Sequence, residues 1–178
     1  MMTGLRCFLV ISCLCIVYAV HGQGFDYAEN SLYILNFIKY TEWPGKKAQV
    51  VVGVVGQSPV TDELQKLFSH RRSTNIQYSV KRITADEAKQ VDVIIIASGA
   101  ANQLKAVIAA TTGSPVLIIS EKENMCHVGA CISFFIDEDN DFKTSYQLSL
   151  RNCGQRGLKL SDEIKKDRKS TRLNSSHA

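Results

Sequence analysis

Away from its two ends this chain has no surplus charge, only two histidines (His70 and His127) and a single tryptophan, and each shortage closes a class of function. The 178 residues hold 21 Lys and Arg against 17 Asp and Glu, a formal net charge of +4. Four of the basic residues lie in segments without any acid: Arg6 near the start, and Arg168, Lys169 and Arg172 near the end. Without those four, residues 23–167 carry 17 basic and 17 acidic side chains, a formal charge of zero. A neutral body exerts no general pull on phosphate backbones, so nucleic acid is not an expected partner. The small Lys46-Lys47 and Arg71-Arg72 pairs read as solvated faces.

Signature motifs of catalysis are missing as well. Gly53-Val54-Val55-Gly56-Gln57-Ser58 follows an apolar run, but its spacing is not the G-x-G-x-x-G that lets backbone approach a pyrophosphate. No G-x-x-x-x-G-K-[ST] loop occurs. Ser98 lacks the G-x-S-x-G elbow of a nucleophilic serine. Cys126 and His127 are chain neighbours, whose side chains usually diverge, and a reactive thiol would also need nearby positive charge or a helix N-terminus. The acidic run Asp137 to Asp141 lacks the spacing and distal Glu of a calcium loop. Cys126, His127, Cys131 and Cys153 do not show the tight paired spacing of structural zinc. No catalytic residue, metal site or cofactor is therefore assigned, and a thiol-dependent enzyme is the least favoured reading.

The first 22 residues have the three parts of a secretory signal: Arg6, the apolar run Cys7 to Val20, and small residues ending at Gly22. That run is too short to span a bilayer, which takes about 20 residues. Val10-Ile11-Ser12-Cys13 also resembles a lipobox, so a lipid anchor at Cys13 is the minor alternative. Export places Cys126, Cys131 and Cys153 in an oxidising space. A Cys126–Cys131 bridge around Gly129 is the first choice and Cys131–Cys153 the second, with one thiol left over either way. Spacing does not decide between them.

What the chain does contain is a succession of apolar runs. Gln49 to Gly56 holds five valines in eight positions without alternation, as expected of a strand buried on both faces. Before it, Asp26-Tyr27-Ala28-Glu29 reads as a capping box for a helix to about Tyr40, with Leu32, Leu35 and Ile38 on one stripe and Ile34 and Phe37 beside it. Trp43-Pro44-Gly45 ends it, and Trp43 either closes the core or anchors an interface. Ser58-Pro59 opens a helix with Val60, Leu64, Leu67 and Phe68 in register. A weaker strand follows over Asn75 to Val80, then a second capping box at Thr84 to Glu87. Val91 to Ala97 and Val116 to Ser120 are further buried strands, separated by a helix carrying Leu104, Val107 and Ile108. Alternation of this kind implies right-handed parallel βαβ units. Ala130 to Ile136 and Phe142 to Leu150 then form an antiparallel hairpin, and Gly157 to Ser161 starts a last short helix. The expected fold is a single α/β domain with a mixed sheet and flanking helices. Ligands of such sheets bind beyond the carboxyl ends of the strands, which points to Gln57, Ser58, Ser98 and Gly99.

Leu35-Asn36-Phe37-Ile38-Lys39-Tyr40-Thr41-Glu42-Trp43-Pro44 resembles the N-F-x-K-Y-x-E-W-P signature of the YfiR family of exported bacterial proteins. The likeness continues through Val50–Gly56, Val116–Ser120, Gly129-Ala130-Cys131-Ile132-Ser133-Phe134-Phe135 (usually G-G-M-I-x-F) and Gly157-Leu158-Lys159-Leu160-Ser161. It covers about residues 27 to 164. The resemblance implies a non-catalytic periplasmic α/β domain that binds the periplasmic part of a membrane signalling protein, a YfiN-like diguanylate cyclase or a sensor kinase, and restrains cyclic-di-GMP synthesis and biofilm formation. It also implies a YfiB-like outer-membrane lipoprotein as a competing partner and a supporting disulfide of the Cys126–Cys131 kind; a homodimer is a further expectation beside it. Ala130 and Cys131 depart from the usual glycine and methionine. The reading beside it is a periplasmic small-molecule sensor. Division of the chain follows: leader 1–22, domain 23–166, and an unstructured tail 167–178 whose Arg168 to Ala178 read as adapter or vector sequence.

Overall fold

The computed structural model describes residues 25–70, 75–166 and 171–173. The leader with Cys13, the Arg71-Arg72 pair and most of the tail lie outside them. Helix α1 (Tyr27–Lys39) begins where the Asp26 carboxylate accepts the N–H groups of Ala28 and Glu29, both at 3.0 Å. The other half of the expected box differs, because Glu29 accepts from the Tyr33 hydroxyl at 3.3 Å. Ile34, Leu35, Phe37 and Ile38 are buried. Leu32, expected on that stripe, is 49% exposed. It precedes Ile34 by two residues, roughly 200° around the helix, and so faces away from the core.

A two-residue strand β1 (Thr41–Glu42) follows, then β2 (Gln49–Val55), α2 (Val60–Ser69) and β3 (Gln77–Ile83). The Thr84–Glu87 capping box is complete, but it starts a 3₁₀ turn (Ala85–Gln90) rather than an α-helix. Strand β4 (Val93–Ile96), a 3₁₀ segment (Ser98–Gln103), α3 (Leu104–Ala110) and β5 (Leu117–Ser120) complete the parallel part. A short 3₁₀ turn (Met125–His127) leads to β6 (Ile132–Asp137) and β7 (Lys143–Leu148), which pair antiparallel from Ile132↔Leu148 to Asp137↔Lys143. Strand order is β3-β2-β4-β5-β6-β7, parallel except for that hairpin. The fold class expected from the sequence is the one observed.

Both faces of the sheet are covered. Val50, Val52, Val54, Val93, Ile95, Leu117 and Ile119 share a core with Ile34, Phe37 and Leu64 of α1 and α2. Ile94, Ile96 and Ile118 share the other with Ala88, Ala100, Leu104 and Val107. Strand side chains alternate between faces, so an unbroken apolar run serves both cores.

Two further details depart from the sequence reading. Helix α4 (Leu150–Gln155) is followed by strand β8 (Lys159–Leu160), which pairs with β1 as a small antiparallel sheet (Thr41↔Leu160), where a helix start was expected. Gly157 at φ +71° turns the chain, and Ser161 N–H donates to Tyr40 O at 2.9 Å, so this segment finds partners beyond itself. The last helix, α5 (Asp162–Lys166), begins only afterwards. Within the tail, expected to lack structure, Thr171–Leu173 form strand β9 parallel to β7. The outer edge of β7 offers unpaired backbone groups to any extended segment.

Candidate functional site

Because β2, β4 and β5 are parallel and adjacent, their carboxyl ends emerge side by side. Three short connections leave there: Gly56-Gln57-Ser58, Ala97-Ser98-Gly99 and Glu121. Glu121, absent from the sequence-derived candidates, joins them. It is 3% exposed. Ser58 Oγ donates to Glu121 Oε1 at 2.5 Å, and Ser98 N–H donates to Oε2 at 3.3 Å. Ser58 Oγ also accepts the Val60 N–H at 3.1 Å, so one hydroxyl meets the start of α2 and binds the carboxyl, although the cap position itself is held by Pro59, one residue later than the sequence suggests. Burial pushes the Glu121 carboxyl above its ordinary value, against the opposing pull of the Ser58 and Ser98 hydrogen bonds. The Tyr27 phenol is raised too, by burial first and then by the charge of Glu121, which places the start of α1 at the same corner.

The backbone at this corner is tightly set. Gly56 lies at φ +89°, and a Cβ there would stand 2.6 Å from the Ala100 Cβ and 3.1 Å from that of Ala97. Ala97 and Ala100 thus fill the space that a dinucleotide fingerprint would keep open for pyrophosphate. With both carboxyl oxygens engaged by its own chain, Glu121 ties two strand connections together instead of presenting a free base.

Of the residues singled out from sequence, Ser58 is buried, whereas Gln57, Ser98 and Gly99 are exposed at the corner. Trp43 is not with them. It packs against the α1–α2 core near the amino ends of the strands, with Lys47 Nζ 5.5 Å from its ring centre. Lys47 also pairs with Asp92 at 2.5 Å, and Asp92 Oδ2 accepts the Val51 N–H at 2.8 Å, so Lys47 is no merely solvated lysine. The signal for Glu121 was an acid directly after a buried strand. Nothing in the sequence said that two other strand ends would converge on it.

The three cysteines of the described residues are buried free thiols. Cys126 Sγ lies 3.7 Å from the Cys131 carbonyl oxygen and 3.6 Å from that of Gln147, and it accepts from Ser133 Oγ at 3.4 Å. Burial pushes its thiol up to about 11. Cys131 and Cys153 are close neighbours in the core, and the influence of Cys131, followed by burial, raises the Cys153 thiol. His127 is exposed while Cys126 is buried.

No helix among the described residues is long and apolar enough to cross a membrane. None of the curated proteins matches this chain. Among solved structures it is similar to the crystal structure of a conserved domain protein from Vibrio cholerae O1 biovar eltor str. N16961, with TM-score 0.57 and 12% identity. That similarity covers 83% of this chain and 60% of the Vibrio chain, and at such identity it is a likeness of fold. The YfiR/HmsC-like family model matches residues 27–164, from the first residue of α1 into α5. On that match, across well over half of its length, the chain belongs to the YfiR/HmsC-like family.

Proposed function

We propose that this chain is an exported periplasmic regulator that binds the periplasmic part of a membrane signalling protein and holds its output off. The expected partner is a YfiN-like diguanylate cyclase, with a sensor kinase as the variant of the same reading. The observation that carries the proposal is the family match over residues 27–164. The secretory pattern of residues 1–22 supports the compartment. Site chemistry supports a binding role over turnover: Glu121 is engaged on both oxygens, and Cys126, at about 11, is protonated at neutral pH and a poor nucleophile.

The exposed Gln57, Ser98 and Gly99 form one proposed contact region, and Trp43 a second at the opposite end of the strands. A YfiB-like lipoprotein would compete for the domain, and a second copy is the alternative partner. In an oxidising compartment Cys131 and Cys153, already close neighbours, would form the bridge, leaving Cys126 free. Deleting the gene should raise cyclic-di-GMP and biofilm, and restoring the chain should reverse both. An unchanged cyclic-di-GMP level would sink the cyclase reading. Photo-crosslinkers at Gln57 and Ser98 should capture the partner's periplasmic part in cells.

One observation favours a second reading, a ligand sensor. Both side-chain amide atoms of Asn30 and the Thr61 hydroxyl are buried without a hydrogen-bond partner. Asn30 follows Tyr27 by three residues on α1, and Thr61 lies in the first turn of α2, three residues after Ser58, so both sit within a turn of residues at the corner. A small polar molecule satisfying them would raise thermal stability on binding. No shift across a metabolite screen would count against this reading and leave the regulator reading standing.

A further inference from the structure

Away from the strand-end corner, a groove of about 580 Å³ opens between the end of α3, the turn around His127 and helix α4. Its charged side chains are Arg151 and Arg156, His127 adds an imidazole, and none of its lining residues is acidic. This local excess stands out in a domain whose charges otherwise cancel. Ion pairs among the described residues are Lys47–Asp92 and Lys66–Glu63, so neither arginine is matched to a carboxylate.

The walls are built to hold their shape. Asn152 Nδ2 donates to Cys126 O at 2.8 Å and to Ala130 O at 2.7 Å, tying α4 to the turn that carries His127. Gly129, at φ +129°, lies so close to α3 that a Cβ would stand 2.7 Å from Ile108 Cδ1. Arg156 Nη1 donates to Thr111 Oγ1 at 2.9 Å, and Thr111 Oγ1 in turn donates to Val107 O at 2.8 Å. One guanidinium is thereby oriented by the end of α3, with further N–H groups left for a ligand. Arg151 is exposed on the first turn of α4.

We infer that this groove binds a small molecule bearing an oxyanion, a carboxylate or a phosphate, between Arg151 and Arg156. Guanidinium forks match the paired oxygens of such groups, and a concave wall without competing acids strengthens the attraction. The volume falls in the range of small-molecule sites, roughly 300–1,000 Å³. Val128 (39% exposed) and Ile108 give the groove an apolar side for the body of the ligand. The site is separate from the strand-end corner and does not depend on the identity of the partner.

The test uses the purified chain and four probes: inorganic phosphate, phenyl phosphate, benzoate, and benzyl alcohol as the neutral control. Amide NMR titration should show saturable shifts at Val128, Gly129 and the Arg151–Arg156 segment with the anionic probes, weakening as salt is added, and none with the alcohol. Arg151→Gln, at an exposed position where folding is not at risk, should weaken binding by about tenfold, and Arg156→Gln by a similar factor. Tighter binding of phenyl phosphate than benzoate assigns a phosphate ester, and the reverse order assigns a carboxylate. No saturable shift with any anion at millimolar concentration overturns the inference. So do shifts that neither arginine substitution changes, or an equal response to benzyl alcohol.

Discussion

The two faces of the sheet are packed with different kinds of side chain. On the α1–α2 face, Phe37 meets Tyr146 at 4.8 Å in an edge-to-face arrangement and Phe134 at 6.0 Å, and Tyr33 joins at 5.4 Å from Tyr146. On the α3 face the core is aliphatic and rich in alanine: Ala88, Ala97, Ala100 and Ala130 beside Val and Ile. There side chains lie directly against glycine backbone, those of Ile83 and Val91 on Gly53, Ala100 on Gly56, and Ile108 on Gly129. Full helices leave a thick layer that rings can fill. On the other face, where 3₁₀ segments stand beside α3, alanines and the bare backbone of glycines leave little room for added volume. One face should therefore fail when volume is removed and the other when volume is added.

The largest effect expected is on the aromatic face, where Phe37→Ala should cost about 3–5 kcal/mol, read from denaturant midpoints. The matching test on the other face is Gly56→Ala, which adds one carbon against Ala100 at a positive φ and should cost about 2–4 kcal/mol. If Phe37→Ala were tolerated while Gly56→Ala unfolded the chain, the contrast would stand reversed. Glu121→Ala leaves Ser58 and Ser98 without their acceptor and should cost about 1–3 kcal/mol, whereas Glu121→Gln can accept the Ser98 N–H on its amide oxygen and donate from its amide nitrogen to Ser58 Oγ, reversing that one bond, and should cost little near neutral pH.

The same residue sets a pH dependence. Burial raises the folded-state carboxyl, so the folded chain holds this proton more tightly than the unfolded chain. The associated stability is fully present below the ordinary value of 4.5 and is lost as pH rises through the raised folded value. Glu121→Gln should remove that slope, and equal slopes in the two proteins would exclude the assignment. Smallest of all, Leu32→Ala should change stability by less than about 0.5 kcal/mol, because Leu32 faces away from both cores. Oxidation adds a separate check: peptide mapping without reductant should recover Cys131 linked to Cys153, and a Cys126–Cys131 peptide would favour the other pairing.

Local chemistry made much of the fold readable. The valines of β2 and the isoleucines of β4 had to lie in a strand covered on both sides, because their run has no polar face to show water. Asp26 and Ser58 announced helix starts through carboxylate or hydroxyl groups that reach only two or three residues along the chain. The strand in Lys159–Leu160 was not readable, since its partner Thr41–Glu42 lies far away in sequence and two residues carry no periodicity of their own. Of the candidate site, Ser58 and Ser98 were placed by the rule for parallel strand ends. Glu121 was passed over because a single acid after a strand looks solvated until its neighbours are known.

From the sequence alone came the order of the elements, the two-sided burial of the central strands and the family signature, for these rest on contacts and patterns within a few residues. Tertiary structure alone decided that Ser58, Ser98 and Glu121 meet, that Trp43 stands at the other end of the sheet, that Cys131 is a close neighbour of Cys153, and that two arginines share a groove without an acid. Each of those juxtapositions depends on which strands become neighbours and which helix lies over them, and that is set by how the whole chain closes over its two cores.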